Sequence, residues 1–238
     1  METICKFSIQ SKILYQVLKR LNNGNNVKLS VSNKGLTFYS TRPKCSVSIF
    51  TDVLKDYVYN KHTSTEYSFN KTSMYSIFSK KDNIPIEIEI VSGIDTTENI
   101  FSYIQDNIKH NIRMSILDYV SDLGRDIWIE SPESTIVIRD NRLLSNLFKS
   151  HKSGLYISTK EHKINIGGHY DYVVLDNEHR GVDINLELNI NKHFWKIFPI
   201  NSEYCIFNFK INDNNIANIV FIEYNVVYKY EGKYYNQS

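Results

Sequence analysis

Ser11-Lys12-Ile13-Leu14-Tyr15-Gln16-Val17-Leu18-Lys19-Arg20-Leu21 is matched, about 130 residues later, by Asn141-Arg142-Leu143-Leu144-Ser145-Asn146-Leu147-Phe148-Lys149-Ser150. In this pairing Leu14, Val17 and Leu18 fall opposite Leu144, Leu147 and Phe148. Both triplets have i, i+3, i+4 spacing, which puts three apolar side chains on one stripe of a helix. The match extends outward. Residues 27–32 and 36–40 alternate polar and apolar around Asn33-Lys34-Gly35, the pattern of a hairpin. Residues 155–158 and 163–167 repeat that order, with Leu29 and Val31 lining up with Leu155 and Ile157. A second amphipathic segment follows in each half, 71–81 and 191–200, where Met74, Ile77 and Phe78 are matched by Phe194, Ile197 and Phe198. A period of about 120–130 residues belongs to a duplicated domain, because solenoid units repeat every 20 to 50 or so.

Further strands are expected at 45–50, 86–90, 99–104, 110–116, 171–175, 183–189, 204–210, 216–223 and 226–230. Many short strands with two helices per half predict an α+β fold: two similar domains of antiparallel sheet, each backed by two helices. The expected division is 1–116 for the first domain, 117–132 for a connector and 133–238 for the second. The connector has no clean period, contains Gly124 and Pro132, and carries Leu123, Ile127 and Trp128, expected to be partly exposed. Asp140 is the expected cap of the helix at 141–150, and Asn70 or Thr72 that of the helix at 71–81.

With 238 residues the chain has room for two small domains. Its 23% charged and 42% hydrophobic content is ordinary for a folded protein. The first residues lack a basic then apolar leader, and no apolar run approaches the roughly 20 residues that span a bilayer, so no membrane role is expected. Cys5, Cys45 and Cys205 are odd in number and far apart, which argues against a disulfide framework and for an intracellular setting. A net charge of +2 does not by itself announce nucleic-acid binding, so the segregation of the positive charges becomes decisive.

At about 100° per residue, Lys12, Gln16, Lys19 and Arg20 lie opposite the first apolar stripe, and Arg142, Asn146 and Lys149 opposite the third. Lys192 and Lys196 do the same in the fourth segment, and Lys80 lies toward the polar side of the second. None of these faces carries Asp or Glu. One basic polar face is commonly just solvated; four without an acid suggest a surface for phosphates, read by charge and not by sequence. Catalytic patterns are missing. The seven histidines (62, 110, 151, 162, 169, 179 and 193) form no HExxH, Gly167-Gly168 is no phosphate-cradling loop, and there is no GxSxG elbow. The expectation is therefore no enzyme, no metal and no cofactor. Tyr228, Tyr230, Tyr234 and Tyr235 offer stacking platforms for single-stranded bases or, as alternating strand residues, an apolar docking surface.

Two similar halves, basic helices and an apolar connector together resemble the sliding clamps of the proliferating cell nuclear antigen (PCNA) family. The similarity runs from Ile4 to about Tyr230. It is best at 11–21, at the hairpin closing with Asn33-Lys34-Gly35-Leu36, at 72–78, and where residues 112–118 lead into Asp122-Leu123-Gly124. The resemblance implies a homotrimeric ring around double-stranded DNA that tethers a DNA polymerase and other replication proteins. It implies subunit contacts by edge-strand pairing between 110–116, with His110, Ile112, Met114 and Ile116, and 170–175, with Tyr170, Tyr172, Val173 and Val174. It implies a partner-docking surface at Thr41, Cys45, Val47, Leu123, Ile127, Trp128, Ile219 and Tyr230. After the last strand the family has an apolar, Pro-containing segment, where this chain has Tyr230-Glu231-Gly232-Lys233-Tyr234. The AT-type composition and the divergence suggest a viral or otherwise fast-evolving clamp, working inside the cell, in the nucleus or at a cytoplasmic viral replication site. Two other readings stand beside it: a checkpoint- or transcription-type subunit of a heteromeric ring or a monomeric processivity subunit, and an interaction scaffold without DNA binding.

Overall fold

The alternation of residues 27–32 and 36–40 becomes strands β2 (Asn26–Ser32) and β3 (Gly35–Thr41), paired antiparallel with Leu29 opposite Phe38 and Val31 opposite Leu36. Gly35 closes the turn at φ +123°, and a Cβ there would lie 2.2 Å from the Ile49 carbonyl oxygen on β4 (Lys44–Phe50). Only glycine fits such a position. This geometry comes from a computed structural model, which describes residues 2–21, 26–41, 44–70, 83–93, 98–105, 107–116, 129, 131–151, 154–161, 163–168, 170–175, 178–189, 202, 204–211, 215–223 and 225–236. The chain divides into two compact units, Met1–Arg42 with Ser46–Gly124, and Pro43–Cys45 with Arg125–Ser238.

Unit 1 opens with β1 (Thr3–Gln10), which runs straight into helix α1 (Ser11–Arg20). It continues through β2, β3, β4, β5 (Lys55–Tyr59), β6 (Thr65–Asn70), β7 (Pro85–Ser92), β8 (Glu98–Gln105) and β9 (Ile108–Ile116). All pairing is antiparallel, and the neighbours run β5-β1-β7-β8-β9-β6-β2-β3. β4 lies beside β3, where the Thr37 and Ser48 hydroxyls are 3.2 Å apart. The helical stripe is buried: Leu14, Val17 and Leu18 are fully enclosed, as are Leu29, Val31 and Phe38 from the hairpin. Among the core aromatics, Tyr67 accepts a 3.0 Å hydrogen bond on its hydroxyl from Asn99 Nδ2, so that buried amide donor is satisfied.

Unit 2 repeats the order. β10 (Ser134–Ile138) leads into α2 (Asn141–Ser150), followed by β11 (Leu155–Lys160), β12 (Lys163–Gly167), β13 (Tyr172–Leu175), β14 (Glu178–Gly181), β15 (Asn185–Asn189), β16 (Cys205–Phe209), β17 (Ile216–Glu223) and β18 (Val226–Asn236). Its neighbours run β14-β10-β16-β17-β18-β15-β11-β12-β13. Strand for strand this is the pairing of unit 1, so the repeat seen in the sequence is a repeat of topology. Leu144, Phe148, Leu155 and Ile157 are fully buried, as their counterparts are. Asp140 caps α2 as expected, its Oδ1 accepting the Leu143 N–H at 2.9 Å. Thr72 and the amphipathic segments 71–81 and 191–200 lie outside the described residues.

Five strands were not among those expected: β1, β5, β6, β10 and β14. β18 also runs six residues past the expected end at Tyr230. Tyr228, Tyr230 and Tyr234 are buried on its inner face and Tyr235 is half exposed, so the four tyrosines are no stacking platform. Alternation had already placed 228, 230 and 234 on one side.

Candidate nucleic-acid interface

α1 and α2 present the same polar face. Lys12 and Lys19 are exposed on α1, and Arg142, Asn146 and Lys149 on α2. Neither helix has an acid in its first turn, and each ends with a basic residue in its last turn. A cation there is favoured by the negative end of the helix dipole. Among the described residues none of Lys12, Lys19, Arg142 and Lys149 belongs to an ion pair. Their charge is therefore available to a ligand. Arg20 corrects the sequence reading: it is only 7% exposed, in a turn where Leu21 after it is also buried. Lys80, Lys192 and Lys196 lie outside the described residues.

The strand edges offer a second type of surface. β9 pairs with β8 along its length, but with β6 only at Ser115 and Ile116. From Ile108 to Met114 its other edge has no strand partner among the described residues. β13 likewise pairs only with β12. The side chains of Ile112 and Met114 are buried and His110 stacks on Tyr103 with ring centroids 4.7 Å apart, so the side chains β9 offers outward are the intervening Lys109, Asn111 and Arg113. On β13, Tyr172 and Val174 are 51% and 52% exposed, next to a fully exposed Tyr170, while Val173 is half-buried.

The docking surface implied by the resemblance fares differently. Cys45, Val47, Ile219 and Tyr230 are all buried, and Ile219 stands opposite Tyr230 in the β17–β18 ladder. They are inward-facing strand residues and form no exposed surface. Thr41 lies on β3, and Leu123, Ile127 and Trp128 fall outside the described residues. Ile129, just after them, is buried and donates its N–H to Asn218 Oδ1 at 2.6 Å.

Burial pushes the Cys5 thiol up to about 12 and the Cys205 thiol well above its usual range, which keeps both protonated and unreactive at neutral pH. All three cysteines are free and buried. No helix among the described residues is long and apolar enough to cross a membrane.

A duplicated α+β unit with basic, acid-free helices and open strand edges defines a class, the DNA sliding-clamp fold. Among solved structures, PCNA from Entamoeba histolytica matches with a TM-score of 0.71 at 12% identity, covering 98% of this chain and 99% of that one. A structure of the C-terminal region of FEN-1 bound to A. fulgidus PCNA matches with a TM-score of 0.68 at 13% identity, covering 98% and 99%. The chain therefore has a PCNA-like fold. No family model and no curated protein matches its sequence.

Proposed function

We propose that this protein is a non-enzymatic sliding-clamp-like processivity factor, a ring of three copies that encircles duplex DNA and tethers a DNA polymerase and other replication proteins. The observation that carries the reading is the pair of equivalent helices whose exposed Lys12, Lys19, Arg142 and Lys149 have no acidic partner among the described residues. Point charges at helical spacing bind phosphates without reading bases, which is what a protein that slides requires. The open edges of β9 and β13 support ring closure, because pairing them removes two otherwise sticky edges. Leu123, Ile127 and Trp128 are the proposed docking side chains of the connector, and an intracellular site of DNA synthesis, nuclear or viral, is the proposed setting.

Retention on circular DNA tests this directly. A closed ring stays on nicked circular DNA through a high-salt wash and leaves the same DNA once it is cut. Equal loss from both forms marks an ordinary DNA-binding protein, and no retention on either marks a scaffold. A mass corresponding to one copy favours the monomeric processivity subunit.

A further inference from the structure

A cross-strand row of unit 2 has a counterpart in unit 1, and the two differ in chemistry. In unit 1, Thr3, Val91, Ile100 and Arg113 pair in turn across β1, β7, β8 and β9. In unit 2 the equivalent row across β10, β16, β17 and β18 is Thr135, Asn208, Asn218 and Glu231. The hairpin turns fix the equivalence. Asn107 and Asn225 take positive φ, 62° and 59°, in turns closed by Gln105 with Ile108 and by Glu223 with Val226. Val91 and Ile100 of one unit are thus amides in the other, and both amides are buried, Asn208 at 7% and Asn218 at 0% exposure. Burying an amide is unfavourable unless it is hydrogen-bonded, and unit 1 shows that the fold does not require one there.

The two amides are used differently. Asn208 Oδ1 accepts the Thr135 hydroxyl at 3.0 Å, within the row. Asn218 Oδ1 accepts the Ile129 N–H at 2.6 Å, from the chain entering unit 2, while its Nδ2 has no hydrogen-bond partner. The acceptor is therefore the atom the site uses. Ile129 is itself buried and lies outside every strand. From Glu133 the main chain takes over. Glu133 donates its N–H to the Phe209 carbonyl at 2.9 Å, its carbonyl accepts the Val182 N–H at 2.9 Å, and its Oε2 accepts the Ile211 N–H at 3.2 Å. Among the described residues, the hold ahead of that stitch is the Asn218 side chain.

We propose that Asn218 is a positioning residue: its side chain pins the end of the connector at Ile129 onto β17, so that the chain is held there by one amide and not by strand pairing. The pin fixes one end of the segment proposed to dock partners, a consequence that rests on the clamp reading. The pin itself does not.

Amide hydrogen exchange at Ile129, read by NMR in the full chain, tests the pin. Asn218→Ile places unit 1's residue in the row and should speed exchange at Ile129 about tenfold or more, because that N–H loses its acceptor. The amides of the β16–β17 and β17–β18 ladders should keep their protection, which a general loosening of unit 2 would not spare. Asn218→Ala makes the same deletion without added bulk, so it gives the same reading if Ile does not pack. Asn208→Val, the other unit 1 residue, should leave Ile129 as it is. Unchanged exchange at Ile129 in both Asn218 variants overturns the proposal. So does an equal rise in Asn208→Val, which would make the whole polar row responsible. Loss of protection throughout the ladders in both Asn218 variants also overturns it, since Asn218 would then hold the sheet and not the connector. Retention on circular DNA judges the clamp reading separately, and should be the same in the parent and in Asn218→Ala. A parent that is not retained removes the docking consequence and leaves the pin to the exchange data.

Discussion

Unit 1 and unit 2 use one topology to leave different edges and helix ends open. Unit 1 leaves β9, a nine-residue strand whose exposed positions include Lys109, Asn111 and Arg113. Unit 2 leaves β13, four residues long, with Tyr172 and Val174 outward and Asp171 just before it. One edge is long, polar and basic; the other is short and apolar. Two edges that differ in this way favour heterologous contacts between copies over pairing of like with like, and heterologous contacts can close into rings.

The largest expected effect follows from that difference. Replacing both Tyr172 and Val174 with Lys sets positive charge against the basic β9 of a neighbour and removes two exposed apolar contacts. If the proposed ring forms, the particle should fall from the mass of three copies to that of one, with native-like circular dichroism. Glu at the same two positions should retain more of the assembly. Equal loss with either charge would show that β9 is not what β13 meets.

A second test asks whether the repeat is one of energetics as well as topology. Leu14 and Leu144 are equivalent and both fully buried. Each change to Ala should cost about 2–5 kcal/mol by loss of transfer free energy and creation of a cavity. Denaturant unfolding should report similar losses. A small loss at only one site would show that unit to be less tightly packed around its helix.

The proposed DNA surface can be divided helix by helix. Lys12→Ala with Lys19→Ala, and separately Arg142→Ala with Lys149→Ala, should each flatten the salt dependence of DNA binding by about two slope units. Folding should be nearly unchanged, because all four side chains are exposed. If one pair leaves the slope as it was, that helix does not face DNA.

What could be read from the sequence depended on whether burial left a periodic trace. α2 matches its expected span and α1 differs by one residue, because an apolar stripe at i, i+3, i+4 spacing runs along each helix opposite a polar face. β1 was hidden because it enters α1 without a turn residue between Gln10 and Ser11, so no punctuation marks the change of period. β10 reads Ser-Thr-Ile-Val-Ile, where an apolar Val137 fills the outward position and blurs the alternation. β14 is Glu-His-Arg-Gly with no fully buried position, so it left no apolar signal. At the site, the exposed cations of α1 and α2 were legible by angle, whereas Arg20 at the end of α1 is buried. Four of the eight docking residues, Cys45, Val47, Ile219 and Tyr230, are buried for the opposite reason. They came from resemblance, whereas Cys45-Ser46-Val47-Ser48-Ile49 alternates in a way that already sends 45, 47 and 49 inward, and all three are fully buried.

The smallest effect concerns the stability of the helix starts. α2 has a side-chain cap in Asp140, which takes up one of the N–H groups that a first turn leaves unsatisfied. α1 has Gln10 at the same place and no side-chain cap; its start is held instead by the exchange between Ser11 and Ile84. Asp140→Ala should therefore cost about 1 kcal/mol, and Gln10→Ala close to nothing. Asp140→Asn should cost little, since Asn caps about as well as Asp. Denaturant unfolding of the three variants checks this; equal losses for Asp140→Ala and Gln10→Ala would show that the side-chain cap adds nothing to the start of α2.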